Sequence, residues 1–324
     1  MVTQPTFLVG AEQSGSTLLR LMLDSHPEVA FAEEFEYVVD AIRPDGTLPS
    51  VGEFRQQLVV SPSFARSGFR IDDSLDFGDL VDGFLRSRQA RKGAPFVGAT
   101  IHHGFIRALA VWPDARFVHL VRDPRDVGPA RMAEGLAGNI WHALDHWVQA
   151  EDEWASLCRI LPEDRLLTVE FSELIDHHDS TLTRVCRFLG VDYTSQMLNY
   201  AQDTDYQEPS RQVAGDWRDT LTEREIRLAE ARVGRRLTEL GFQPSGLPPL
   251  EVTERDLARL RRQDRLGRAV RRFGSYGVRL TVADLAARAT GNEERQHSVQ
   301  LQFNELQQAS RKKSWSDAKY RTSR

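Results

Sequence analysis

Residues 6–24 constrain this chain more than any other stretch. They read Thr-Phe-Leu-Val-Gly-Ala-Glu-Gln-Ser-Gly-Ser-Thr-Leu-Leu-Arg-Leu-Met-Leu-Asp. A short apolar strand, Phe7 to Val9, runs into Gly10; after four intervening residues comes Gly15, then Ser16, Thr17 and an apolar helix start. This is the spacing of a phosphate-binding loop, G-x-x-x-x-G-K-[ST], with Ser16 where the lysine stands. The backbone logic does not need the lysine. Glycines permit the tight turn, amide N–H groups point inward, and the helix start adds the positive end of its dipole. Without the cation that reaches the β and γ phosphates, the loop suits one phosphate-like group, not ATP, and a small-molecule kinase ranks low. An ordinary strand–turn–helix connection with two glycines shows the same pattern. The place at the first strand favours the ligand reading, because open α/β sheets bind ligands outside strand C-termini.

Charge narrows the choice of anion partners in the body. The formal net charge of −5 hides an asymmetry: residues 251–324 carry 17 Lys/Arg against 9 Asp/Glu, and the preceding 250 carry 25 against 38. A basic tail on an acidic body without aromatic interleaving predicts solvated or body-docked helices, and no nucleic-acid partner is expected. Lys92 is the only lysine before residue 312, so a cationic anchor in the body is arginine, backbone amide or Lys92. Two cysteines, Cys158 and Cys186, make neither a disulfide framework nor a metal cluster, which fits a reducing compartment. With no leader pattern before the first strand and no apolar run near the roughly 20 residues of a membrane span, the expectation is a soluble, cytoplasmic protein. The sequence does not settle the oligomeric state.

Strands alternating with helices predict an α/β fold with a parallel sheet and right-handed crossovers. Strands are expected at Phe7–Val9, Pro95–Thr100, Ala115–Val121 and Leu166–Val169. Helices are expected at Ser16–Ser25, Leu80–Arg91, Gly104–Val111, Asn139–Arg159, Ser180–Leu189 (stopped by Gly190) and Leu221–Leu240. Trp141, Trp147 and Trp154 recur near helical spacing and read as core. The organisation expected is an α/β domain over residues 1–248, a basic helical extension over 249–303 and a polar tail over 304–324.

A second motif ends the third predicted strand: Val121-Arg122-Asp123-Pro124-Arg125-Asp126-Val127. Together with Gln13-Ser14-Gly15-Ser16-Thr17 it resembles the PAPS-dependent sulfotransferases, which carry R-S-G-T-T-L-L after the first strand and V-R-D-P-R-D-V later. Val169-Glu170-Phe171-Ser172-Glu173-Leu174, Phe188-Leu189-Gly190-Val191 and Asp216-Trp217-Arg218, the last leading to Leu240-Gly241-Phe242, extend the resemblance over roughly residues 5–243. In motif the chain is most like bacterial and protein-tyrosine-type members. The resemblance implies a P-loop-like parallel sheet flanked by helices that binds 3′-phosphoadenosine-5′-phosphosulfate (PAPS) and releases 3′,5′-ADP. The amides of Ser14, Gly15, Ser16 and Thr17 and the hydroxyls of Ser16 and Thr17 would hold the phosphosulfate. Arg122 matches the arginine on the 3′-phosphate, and Trp217 and Arg218 would lie at the far end of the nucleotide.

The implied chemistry is in-line sulfuryl transfer to a hydroxyl or amine of a small metabolite or glycan, with a base for the acceptor proton and no metal. Glu34, in Phe31-Ala32-Glu33-Glu34, matches the glutamate base of protein-tyrosine and some bacterial members and is the first candidate for the base; His102, which matches the histidine of cytosolic ones, is the reserve. His102 and Thr100 share a strand face if the strand extends that far, and His102 with His103 alone make no metal site. His119 reads as a core histidine, and Asp123 and Asp126 as braces of the turn. Three positions depart from the pattern: Gln13 stands for the loop arginine, Thr100 for the lysine before the histidine, and Ala130 for the serine that joins Arg122. Arg131, Arg107, Lys92 and Arg20 are the cations available to compensate. The alternative these departures raise is a repurposed, non-catalytic member acting as a binding module.

Overall fold

A computed structural model describes residues 2–59, 61–203 and 216–289; the polar tail expected over 304–324 lies outside the described residues. Five parallel strands form one sheet, β1 (Thr6–Val9), β2 (Val29–Glu34), β3 (Phe96–Ile101), β4 (Arg116–Val121) and β5 (Leu166–Glu170), in the order β2-β3-β1-β4-β5. The α/β parallel fold read from the sequence is therefore correct. β2 is not among the strands expected from the sequence.

Every strand exit lies on one edge of the sheet, because all pairings are parallel. The central strand β1 is buried along its whole length, as parallel sheets covered on both faces require. Alternation divides its side chains. Leu8 packs with Val118, Leu120 and Val169 under α1 (Ser16–Ser25) and α10 (His178–Leu189). Phe7 and Val9 join Phe117 and Val121 on the other side, with α5 (Phe77–Lys92) and α8 (Asp145–Ile160).

Between β2 and β3 run α2 (Glu36–Val39), α3 (Val51–Val59), α4 (Pro62–Ser67) and α5, a region without a readable motif. The helix expected at Gly104–Val111 is a 3-10 segment, Phe105–Ala110. After β4 comes α6 (Pro124–Ala133), capped by Asp123, whose side chain accepts from the Arg125 amide with Pro124 at the first helical position. The single helix expected over 139–159 is two, α7 (Ile140–Ala143), capped by Asn139, and α8, with a join at Leu144. α9 (Phe171–Asp176) follows β5 directly, and α11 (Tyr200–Asp203) follows α10. The helix expected over 221–240 divides at Gly234 (φ 60°) into α13 (Glu223–Val233) and α14 (Arg236–Glu239), after the short α12 (Trp217–Thr220). α15 (Glu254–Ala289) docks at Gly138, where buried Asp264 accepts the Gly138 amide at 2.8 Å and Asn139 donates to the Leu260 carbonyl at 2.7 Å.

Gly10 decides the exit of β1. Its φ is 139°, and a Cβ there would sit 2.3 Å from the Leu120 carbonyl oxygen of β4, a backbone atom that cannot move aside cheaply. Gly10→Ala is expected to lose on the order of 2–4 kcal/mol of stability by denaturant unfolding. A loss below about 0.5 kcal/mol would show that the loop is not clamped against β4.

Candidate active site

The loop 10–15 closes on itself through Ser14 N donating to the Ala11 carbonyl (3.2 Å) and opens α1 at Gly15, whose φ is 94°. A Cβ at Gly15 would lie 2.2 Å from the ring of Phe171, so α9 floors the loop from below. The first amides of a helix lack intrahelical partners, here down to Leu18, which donates to the Gly15 carbonyl at 3.0 Å, and the helix dipole adds positive potential there. Ser14 is 1% exposed and its Oγ has no hydrogen-bond partner. A buried hydroxyl without a partner is costly, and an anion seated in the loop would satisfy it.

Arg122 reaches this loop from the end of β4. Its Nη1 donates to the Gln13 carbonyl at 3.0 Å, and its guanidinium lies 4.7 Å from the Phe171 ring centroid. Burial pulls its pKa below the ordinary guanidinium value, against the charges of Asp126 and Asp123. Gln13 is the one non-glycine residue at positive φ (70°) among the described residues. The arginine contact and the strained backbone thus fall on the same residue.

His102, just past β3, meets the loop from the other side. Its Nε2 lies 2.8 Å from Ser16 Oγ, and its Nδ1 lies 2.7 Å from Glu36 Oε1, which also accepts the His102 amide at 2.8 Å. Burial lowers the His102 pKa, but the hydrogen bond and charge of Glu36, with Glu12 and Glu34 behind it, outweigh burial and leave it raised. Glu36 was not among the residues read from the sequence; its signal is the pairing of β2 with β3, which places the start of α2 beside the exit of β3.

Glu34 sits at the end of β2, 46% exposed, and is engaged elsewhere: Ser63 donates to it at 2.9 Å and Arg66 at 3.1 Å, both from α4. Trp217 is buried between two guanidiniums, Arg125 at 4.0 Å and Arg218 at 4.1 Å from its ring, and Arg218 is largely exposed beside Asp216. Among the described residues, then, Ser14, Gly15, Ser16, Gln13, Arg122 and His102 converge, while Glu34 and Arg218 turn outward.

Of the substitute cations, Lys92 is held by the Asp24 carbonyl and by Val29 O at 2.6 Å, at the start of β2 and so on the opposite edge of the sheet. Arg107 is taken up by the carbonyls of Val39 and Ile42. Arg131 contacts the loop: buried on α6, it pairs with Glu12. Thr100 is buried, its Oγ1 without a partner. His119 is buried in the core as expected, stacked on Trp154 at 4.6 Å with Nε2 3.2 Å from Glu151. No cluster of potential metal ligands occurs among the described residues, and no helix there is long and apolar enough to cross a membrane.

The family model described as "Sulfotransferase family" matches residues 5–195, which holds the loop, His102, Arg122 and Phe171. The chain belongs to the sulfotransferase family. Protein-tyrosine sulfotransferase 2 of Gallus gallus is 25% identical over 211 residues, 60% of this chain and 53% of that protein. The protein-tyrosine sulfotransferase of Drosophila melanogaster is 21% identical over 212 residues, covering 60% and 40%. The chain thus spans about half the length of these curated relatives or less. Among solved structures, the sulfotransferase domain of the Synechococcus PCC 7002 olefin synthase aligns with a TM-score of 0.53 at 21% identity, over 70% of this chain and 94% of that one. The sulfotransferase domain from the curacin biosynthetic pathway gives 0.54 at 17%, over 76% and 99%. These likenesses support the sulfotransferase fold.

Beside Arg122 in this sulfotransferase-family site lies Asp126. Burial and then the charge of Asp123 push its carboxyl from 3.8 up to about 6, with Asp216 adding to the rise and Arg122 and the Trp217 amide opposing it. The folded state therefore binds more protons than the unfolded one between about pH 4 and 6, and this contribution to stability is lost as pH rises through that window. Asp126→Asn keeps the acceptor oxygen and removes the charge. It is expected to raise Tm by roughly 2–4 °C at pH 7.5 and by much less at pH 4. Equal shifts at both pH values in a thermal-unfolding series would refute the assignment.

Proposed function

We propose that this chain transfers a sulfuryl group from PAPS to an acceptor hydroxyl or amine, with His102 as the base. The observation that carries this reading is the 2.8 Å contact between Ser16 Oγ and His102 Nε2, which brings a titratable nitrogen to the lip of an anion-binding loop. The residues fit a phosphosulfate: glycine lets the loop pack tightly on β4 and α9, the partnerless Ser14 hydroxyl lies within it, and Arg122 borders it. Amides of residues 14–17, Ser14 Oγ and Arg122 would hold the donor, with Trp217 towards its far end. Bound there, PAPS would supply the sulfuryl group and 3′,5′-ADP as the leaving group.

The chain's own part is positional and electrostatic. The helix start and loop amides face the charge that builds on the leaving phosphate, and Arg122 anchors the nucleotide. His102 accepts the acceptor's proton at Nε2. In this reading Glu34, paired with Arg66 and bonded by Ser63, does not take the proton. A small metabolite or glycan hydroxyl is the acceptor first in line; the names of the curated relatives favour testing protein tyrosine beside it. A second reading has one observation in its favour. With Gln13 in the loop and Arg131 neutralised by Glu12, the phosphosulfate end has less positive charge, which suits a chain that binds nucleotide without transferring.

Calorimetry with 3′,5′-ADP and a radiolabelled PAPS transfer assay over sugars, small phenols, amines and a tyrosine peptide test both readings. Wild type is expected to bind 3′,5′-ADP, and Arg122→Ala to weaken binding at least about tenfold. His102→Ala is expected to cut transfer by 10²–10⁴-fold or so with binding nearly unchanged. No binding at near-millimolar 3′,5′-ADP removes the donor and the reaction with it. Binding without transfer to any acceptor class supports the second reading, and loss of transfer in Glu34→Gln but not His102→Ala reassigns the base.

A further inference from the structure

His102 is held at three points, two of them on its ring. Glu36 Oε1 receives two donors from one residue, the His102 amide at 2.8 Å and Nδ1 at 2.7 Å, while Nε2 faces Ser16 Oγ at 2.8 Å. A carboxylate oxygen only accepts, so the ring proton of neutral His102 resides on Nδ1. Nε2 is then a lone pair, and the Ser16 hydroxyl donates to it. The reverse tautomer would set a lone pair against a carboxylate and forfeit a charge-assisted bond.

Glu36 is itself fixed. Phe35, one residue earlier, is fully buried, donates its amide to the Thr100 carbonyl at 2.8 Å, and packs edge-on to Tyr37 at 5.2 Å. The backbone that carries Glu36 is thereby tied to the strand that carries His102. Both side chains are mostly buried, 16% and 11% exposed, so their bond acts at reduced dielectric. The other charged groups facing His102 are Glu12, from the loop, and Glu34, from β2, and each has its own arginine, Arg131 and Arg66. Glu36, among these, touches the ring.

We infer that Glu36 is a positioning residue of the transfer reaction: it locks His102 in the Nδ1–H tautomer and presents a basic Nε2 to the acceptor at the phosphosulfate loop. This rests on the reading of His102 as base. In the step, the acceptor oxygen forms its bond to sulfur as the bond from sulfur to the leaving phosphate oxygen breaks. The phosphate keeps the electron pair, the acceptor proton passes to Nε2, and the resulting imidazolium is stabilised by Glu36.

The test compares wild type, Glu36→Gln and His102→Gln as the full chain. Imidazole nitrogen NMR without ligand, with His102 assigned from the signals missing in His102→Gln, is expected to show Nδ1–H in the wild type and a lowered His102 pKa in Glu36→Gln. In the transfer assay Glu36→Gln is expected to move the acid limb of kcat/KM down by about one pH unit. Its plateau kcat is expected to fall roughly 10–100-fold, less than for loss of the base, with the acceptor KM little changed. A wild-type Nε2–H tautomer, or a His102 pKa and pH limb unmoved in Glu36→Gln, overturns the inference while leaving His102 as base intact. Full transfer by His102→Gln overturns the base assignment instead, a failure that the tautomer measurement does not share.

Discussion

The exit of β1 has no room for side chains, and the site is built on that shortage. Gly10 passes so close to the Leu120 carbonyl that a Cβ would overlap it, and Gly15 sits on the Phe171 ring in the same way. The loop between them is pressed against β4 on one side and α9 below. Its remaining freedom is taken up by Gln13, at φ 70°, whose carbonyl is fixed by Arg122. Phe171 carries both contacts, under Gly15 and against Arg122. A loop that would be mobile on an open surface becomes an extension of the core, and its amides are preorganised without a ligand.

That rigidity bears on how the site manages charge with few cations. Glu12 lies in the loop and neutralises Arg131, and Lys92 is committed at the far edge of the sheet. The positive potential comes instead from fixed dipoles, the α1 N-terminus and loop amides, with Arg122 as the full charge at the rim. Dipoles held by backbone geometry cost no reorganisation when charge develops. A loop poor in cations depends on being held still more than one lined with lysine does.

What the sequence disclosed follows the range over which each signal acts. The glycine spacing and Val121-Arg122-Asp123 are local, and the structure brings Ser14, Ser16 and Arg122 together around one loop. β2 escaped because His26-Pro27 and the acidic pair Glu33-Glu34 bracket only a four-residue buried run, Val29–Ala32, too short to announce its period. The division of 139–160 at Leu144 has no local breaker, since neither glycine nor proline lies within that stretch; the Asn139 cap and the docking of α15 onto Gly138 and Asn139 fix only where α7 begins. Glu36 was invisible for a different reason. Its partner lies 66 residues on, and only the adjacency of β2 and β3 brings the two together.

The competition between Glu34 and Glu36 turns on a single residue. Along β2, Ala32 pairs with Ala99 and Glu34 with Thr100, so two residues of one strand advance against one of the other and Glu33 is extra. Such a bulge exchanges the faces of everything after it. With regular pairing Glu33 would stand opposite Thr100 and the carboxylates beyond would shift by one place. With the bulge, Glu34 meets Arg66 and Ser63 on α4, and the chain enters α2 with Glu36 against His102. Three glutamates within four positions are alike in composition and in local sequence, yet the inserted residue gives one of them the imidazole and the others an arginine. The register of the edge strand, more than the identity of any acidic residue, determines which carboxylate reaches the histidine.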